Sequence, residues 1–181
     1  MAEARPVAWF HRVDRAEQAI CTRANRACAS PRIRAFFVAV SRLGDGAFWY
    51  LLTLLLPVLF GGSGLIPAAR MTVAGIVGVA VYKTLKSRLV RERPFISLTG
   101  IVVGTPPLDR YSFPSGHTLH AVAFTTIAVA SFPVLGWVLV PFTVLIAASR
   151  VVLGLHYPSD VAAGALLGMS IAAAALYLLP L

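Results

Sequence analysis

Charge is scarce in this chain, and negative charge is scarcest. Asp, Glu, Lys and Arg make up 13% of the residues, about half the roughly 25% of an ordinary soluble domain. Only 7 are acidic against 16 basic ones. Asp45, Asp109 and Asp160 are isolated in sequence, so no acidic pair is at hand to hold a catalytic Mg²⁺. Chemistry without a metal or other cofactor is therefore expected. Cysteine is almost missing: Cys21 and Cys28 form no CxxC and have no histidine at metal-ligand spacing, which leaves them as small apolar filler. Residues 1–32 lack the uninterrupted apolar stretch of a signal peptide, because arginines are scattered through them. There is no internal repeat and no low-complexity linker. The net charge of +9 invites nucleic acid, but no soluble basic domain is left over to bind it. Membrane topology and attraction to anionic headgroups account for the excess.

What the chain does have is apolar sequence, with 58% hydrophobic residues and a mean hydropathy of +0.80. Several runs reach the ~20 residues that cross a bilayer as a helix. They predict an integral membrane protein, an all-α polytopic bundle of about five transmembrane helices, over 46–61, 69–90, 114–132, 135–154 and 159–179. Trp49 and Tyr50 near the first entrance suit an interfacial aromatic belt. Pro158 fits the first turn of the last helix. Residues 1–45 form a separate N-terminal segment ahead of the transmembrane domain, 46–181. In it Phe10, Val13, Ile20, Ala24 and Ala27 share one side of a helical wheel, while Arg12, Arg15, Arg23 and Arg26 gather on another. That is the pattern of an amphipathic helix lying in the membrane interface, in contact with membrane lipids. Residues 33–43 are too short to span, and they end in a turn at Leu43-Gly44-Asp45-Gly46.

This layout brings three polar clusters to helix ends on one side of the membrane. Lys86 and Arg93 are seven residues apart and share a face if the helix persists that far. Two cations looking the same way suit an oxyanion. Lys83, Arg88 and Arg91 read as flanking charges that complement the helix dipole or snorkel, with Glu92 paired to one of them. Pro114-Ser115-Gly116-His117 opens a helix: Ser115 caps it, Gly116 lets an anion approach backbone N–H groups, and His117 can pass a proton. His120, one turn further in, reads as packing. Arg150 adds a third cation. Asp160 can hold one ring nitrogen of His156 and leave the other free to attack. Taken singly, the clusters have plainer readings: a dipole complement, a helix cap, a buried His–Asp pair joining two helices. Together they supply the parts of a phosphoryl-transfer site that works by positioning and charge neutralisation.

In order and spacing, Lys86-(six residues)-Arg93-Pro94, Pro114-Ser115-Gly116-His117 and Ser149-Arg150-(five residues)-His156-(three residues)-Asp160 resemble the three-part signature of the type 2 phosphatidic acid phosphatase (PAP2) superfamily. The match spans residues 86–160. That family includes membrane lipid phosphatases and soluble vanadium haloperoxidases, and a short membrane-embedded chain points to the first branch. The resemblance implies that His156 attacks phosphorus to give a phosphohistidine, that Asp160 orients it, and that His117 protonates the leaving group. It implies that Lys86, Arg93, Ser115, Gly116 and Arg150 bind the phosphoryl oxygens. The expected substrate is a lipid phosphate or diphosphate: phosphatidylglycerol phosphate, phosphatidic acid, a polyprenyl diphosphate or a polyprenyl-linked phosphosugar. Six-span relatives have three spans before the first motif, where this chain has two and the short 33–43 helix. A phosphotransferase using the same histidine, and a non-catalytic binder of anionic lipid, stand as alternatives. With every Lys and Arg except Arg70 on the site's side, the positive-inside rule places the site on the cytoplasmic face of a bacterial inner membrane.

Overall fold

The computed structural model describes residues 10–106 and 110–179, without the side chains of residues 10–14. The expected positions of Phe10, Arg12, Val13 and Asp109 therefore lie outside the described side chains. Every regular element among the described residues is helical. Helices α3 (Ala47–Phe60) and α4 (Leu65–Arg88) are joined by one 3-10 turn, Gly61–Gly64. Gly61 has φ of +60°, a conformation that costs glycine little. A Cβ on Gly64 would fall 2.2 Å from the Leu56 carbonyl oxygen. Residues eight apart in a continuous helix would be about 12 Å from each other, so the chain doubles back here and the pair is a hairpin.

Helix α6 (Gly116–Ser131) is the centre of the bundle, packed against α4, α7 (Gly136–Val152) and α8 (Pro158–Leu178). Its Leu119, Ala121, Ala123, Ile127 and Ala128 are fully buried. Small residues let helices that gain no hydrophobic drive in lipid approach closely. A Cβ on Gly164 would lie 2.5 Å from the Ser115 oxygen, and one on Gly168 would lie 2.3 Å from the Leu119 oxygen. The contacts advance four residues on each helix, so α6 and α8 run parallel and start at the same end. Helix α4 runs the other way, with Gly78 against Leu119 and Gly75 against Phe124. So does α7, whose Thr143 meets the Thr125 hydroxyl at 2.6 Å. Helix α2 (Pro31–Leu43) returns along α7, placing Gly44 on Ile146 and Ser41 beside Arg150. One end of the bundle thus collects the C-termini of α4 and α7 and the N-termini of α6 and α8, while α2, antiparallel to α7, brings Ser41 to Arg150 at the same end.

The flanks are apolar. Leu54, Val58, Ile76, Val138, Val144 and Leu166 are each more than 60% exposed, the distribution of a bundle whose solvent is lipid. Among the described residues, three helical stretches are long and apolar enough to cross a membrane: Ala47–Arg88, which holds the α3–α4 hairpin, Pro133–Val152 and Pro158–Leu178. Helix α6, with 16 residues, is shorter than the expected 114–132 span.

Two sequence expectations are corrected here. Trp49 is not an interfacial residue: it is 1% exposed and packs on Phe48, Phe124 and Phe142. Its neighbour Tyr50, about 100° further round the helix, is 70% exposed. Helix α4 ends at Arg88, and residues 90–93 continue without helical structure before the short α5 (Pro94–Ser97). Arg93 does not continue a helical face begun by Lys86.

The N-terminal helix α1 (Phe10–Asn25) buries Glu17, Cys21 and Asn25, and Cys28 follows in the next 3-10 turn. Spacings of four, four and three make these one stripe. Asn25 ties it down: Nδ2 donates to the Val102 and Val152 carbonyls, and Oδ1 accepts the Val102 N–H at 2.8 Å. Ile20, on the wheel's apolar side, is 50% exposed. Arg15, Arg23 and Arg26 are exposed as well. Burial pushes the Cys21 thiol up to about 12, with Glu17 and Asp160 adding to the shift, so this sulfur is inert packing.

Candidate active site

The histidine loop is shaped by a sharp exit from α7. The N–H groups of Leu155 and His156 both donate to the Arg150 carbonyl at 3.0 Å. Gly154 has φ of +70°, and a Cβ there would sit 2.4 Å from Ile101. Two constraints at one position require glycine. Pro158 at the first turn of α8 then restarts the helix, and the Tyr157 N–H donates to Asp160 Oδ2 at 2.8 Å. His156 is left 1% exposed, between the end of α7 and the start of α8.

Arg93 reaches this ring from the 90–93 run. Its Nη1 donates to the Leu155 carbonyl at 2.8 Å and lies 3.3 Å from His156 Nε2. A guanidinium only donates, so this contact assigns Nε2 as the unprotonated nitrogen and puts the ring proton on Nδ1. Nδ1 faces Asp160 Oδ2 across 3.6 Å and has no hydrogen-bond partner among the described residues. The His–Asp pairing foreseen from sequence is thus a close approach rather than a closed hydrogen bond. Burial, followed by the cations Arg150, Arg93 and Lys86, holds the His156 imidazole well below its ordinary range. It is neutral near pH 7, as a nucleophile must be.

The remaining cations and the second histidine share a cavity with His156. Arg150 is 3% exposed and donates through Nη1 to the Ser41 hydroxyl of α2. Lys86 is 8% exposed, with its ammonium 5.6 Å from the Tyr82 ring centroid. Cations gathered along one buried cavity favour an anionic group there. Gly116 and His117 form the first turn of α6, whose positive end also favours an anion. Ser115 occupies the N-cap position, but its hydroxyl meets that of Thr118 at 3.0 Å, where a backbone cap was expected; its N–H donates to the Asp160 carbonyl at 3.0 Å. His120 bonds the Gly116 carbonyl at 2.9 Å and also lines the same cavity.

Lys86, Arg93, Gly116, His117, Arg150 and His156 all line one cavity of about 700 Å³. It runs on between α3 and α4 past Tyr50, Thr53, Thr72, Ile76 and Val79. Ser115 and Asp160 stand behind this wall. Among the described residues no three His, Cys, Asp or Glu side chains converge as metal ligands would.

Three residues escaped the sequence reading, two of them, Asp45 and Arg91, with a place in this site. Asp45, in the α2–α3 turn, bonds His117 Nε2 through Oδ1. Arg91, taken for a flanking charge, is instead bound to Asp160 Oδ1 at 2.7 Å and to Glu17 Oε2 at 2.7 Å. Glu92, expected to pair with a basic neighbour, accepts from the Ser97 hydroxyl at 3.2 Å. The signal for Arg91 was its offset of two from Arg93: side chains two apart on an extended chain share a face.

A membrane-embedded helical bundle with buried cations, a helix N-terminus and two histidines around one cavity defines a class of lipid-facing phosphate-handling proteins. The PAP2 superfamily model matches residues 63–180. The chain belongs to that superfamily, and its class is that of the phosphoric ester hydrolases. It is 34% identical over 149 residues, 79% of this chain and 78% of the relative, to decaprenylphosphoryl-5-phosphoribose phosphatase of Mycobacterium tuberculosis. It is 28% identical to undecaprenyl-diphosphatase of Sulfolobus acidocaldarius, over 75% of this chain and 66% of that protein, just under two thirds of its length. Among solved structures, Aquifex aeolicus LpxE superposes with a TM-score of 0.77 at 25% identity, covering 87% of this chain and 93% of the other.

Proposed function

We propose that this protein removes phosphate from a polyprenyl-linked phosphate or diphosphate, without a metal ion and through a phosphohistidine on His156. The observation that carries the reading is His156 Nε2 lying 3.3 Å from Arg93 Nη1, in an apolar-walled cavity that Lys86 and Arg150 also line. Nε2 attacks phosphorus as the bond to the leaving oxygen breaks, and His117, held by Asp45, supplies that oxygen's proton. Arg93, Arg150, Lys86 and the α6 N-terminus neutralise the equatorial oxygens. Water, deprotonated by His117, then attacks the phosphohistidine and releases inorganic phosphate. The names of the two relatives above favour a polyprenyl chain over phosphatidic acid or phosphatidylglycerol phosphate. The groove between α3 and α4 admits the tail sideways from the bilayer.

The same reading counts α3, α4, α6, α7 and α8 as five spans, with α1 in the interface, its Arg15, Arg23 and Arg26 toward anionic headgroups. The positive-inside rule then puts the site on the cytoplasmic side. A cysteine at position 110 that is labelled only from outside would reverse this.

The test is phosphate release by detergent-purified protein with EDTA present, over a panel of the four lipid classes, for wild type and His156→Ala. Release by wild type and loss of at least about a thousandfold in the variant is expected. Release that needs an added lipid acceptor would make the enzyme a transferase. No release from any substrate would leave an anionic-lipid binder.

A further inference from the structure

Glu17 belongs to α1, ahead of residues 63–180 that the family model matches. Yet it is 5% exposed and bound to the first turn of α8. Its Oε1 accepts the Ser159 N–H at 2.6 Å, and its Oε2 accepts the Ser159 hydroxyl at 3.0 Å and Arg91 Nη2 at 2.7 Å. Arg91 carries the contact onward: Nη1 donates to Asp160 Oδ1 and to Ser159 Oγ, each at 2.7 Å. The guanidinium lies 4.1 Å from the Tyr157 ring centroid, which fixes its plane. One turn along α1, Cys21 Sγ lies 3.8 Å from the His156 carbonyl oxygen.

A rigid fork with one arm on each carboxylate sets the distance between them. With Oδ1 held by Arg91 and Oδ2 by the Tyr157 N–H, the Asp160 carboxylate cannot rotate. Its Oδ2 is therefore pinned opposite His156 Nδ1. Burial works against the charge on Arg91, but Asp160 and Glu17 outweigh it and hold the guanidinium above its ordinary value.

We propose that Glu17 and Arg91 are positioning residues for the reaction: α1 sets the place and charge of Asp160 through Arg91, and Asp160 sets the orientation of His156. This rests on the phosphohistidine reading above. A mere staple between α1 and α8 would need no contact with the carboxylate behind the nucleophile.

The experiment compares full-length wild type, Glu17→Gln, Arg91→Ala, Arg91→Lys and the Glu17→Gln/Arg91→Ala double variant. It measures kcat and KM for phosphate release from a polyprenyl diphosphate, with the folded fraction measured alongside. Arg91→Ala is expected to lose about a hundredfold in kcat with KM little changed, the scale of a small misplacement of a reacting group. Arg91→Lys, a point charge without the fork, should recover part of it, as should millimolar guanidinium added to Arg91→Ala. Glu17→Gln should lose about tenfold, and the double variant no more than Arg91→Ala alone, since Glu17 acts through Arg91. Wild-type kcat in the single variants would overturn the inference. So would losses that follow the folded fraction, add in the double variant and resist guanidinium. An inactive wild type would dispose of the phosphohistidine reading itself, an outcome distinct from active wild type with silent variants.

Discussion

The two histidines that face one cavity are built in opposite ways. His156 and Asp160 have side-chain exposures of 1% and 0%, whereas His117 and Asp45 have 10% and 36%. The first pair is locked from behind by α1, Arg91 and the Tyr157 N–H. The second joins the first turn of α6 to the turn before α3, and Asp45 is exposed. The difference follows from what each ring has to do. A nucleophile gains from a fixed orientation and a dry site, where the surrounding charges act at full strength. A proton donor must be reprotonated after each turnover, and that requires contact with water.

The largest effect expected on this comparison is at Asp160. Asp160→Asn keeps the shape, removes the charge opposite Nδ1 and leaves Arg91 with one carboxylate. A loss of kcat on the order of a thousandfold is expected, by analogy with an orienting carboxylate exchanged for its amide. Steady-state kinetics with the folded fraction in hand measures it. A loss below tenfold would mean that the 3.6 Å approach does not orient the ring.

A smaller effect is expected on the open side. Asp45→Asn leaves His117 in the first turn of α6 and removes only its anionic partner, so a fall in kcat of about tenfold follows, within what one positioned acid contributes. The deficit should shrink with diphosphate substrates, whose leaving group is a polyprenyl phosphate that needs less protonation than the alkoxide left by a monophosphate. Equal losses in Asp45→Asn and Asp160→Asn would erase the contrast between the two sides.

How far the sequence foretold this site depends on the kind of chain that carries each residue. Pro114–His117, Arg150 and His156 stand at helix termini, where proline, glycine and charge mark the boundary in any apolar sequence, and their convergence was legible. Arg91 was misread because a helix was extended through it; the break after Arg88 turns a flanking charge into a partner of Asp160. Asp45 and Glu17 were missed because their partners are 72 and 142 residues away. No local period reports such distances. The protein-facing stripe of α1 was hidden for another reason: Glu17, Cys21, Asn25 and Cys28 are polar or small, whereas Ile20 on the apolar side points outward. In a bundle solvated by lipid the apolar face is not the buried face. The same inversion misplaced Trp49.

The smallest effect separates the two histidines by acid stability. An unfolded histidine takes up a proton near pH 6.5, whereas folded His156, buried and ringed by Arg150, Arg93 and Lys86, does so only well below that value. Between those limits the unfolded state binds one proton more than the folded state. Stability is therefore full above about pH 6.5 and falls as pH drops, by up to about 1.4 kcal/mol per unit, until the folded imidazole itself is protonated. Unfolding midpoints of wild type and His156→Gln, measured from about pH 7.5 down to 4.5 in detergent, isolate this contribution, because the other titrating groups are common to both. The wild-type curve should fall more steeply below pH 6.5. Parallel curves would mean that His156 is as free to take a proton in the folded protein as in the unfolded one. That would break the sealed side of the comparison and, with it, the case for a neutral nucleophile.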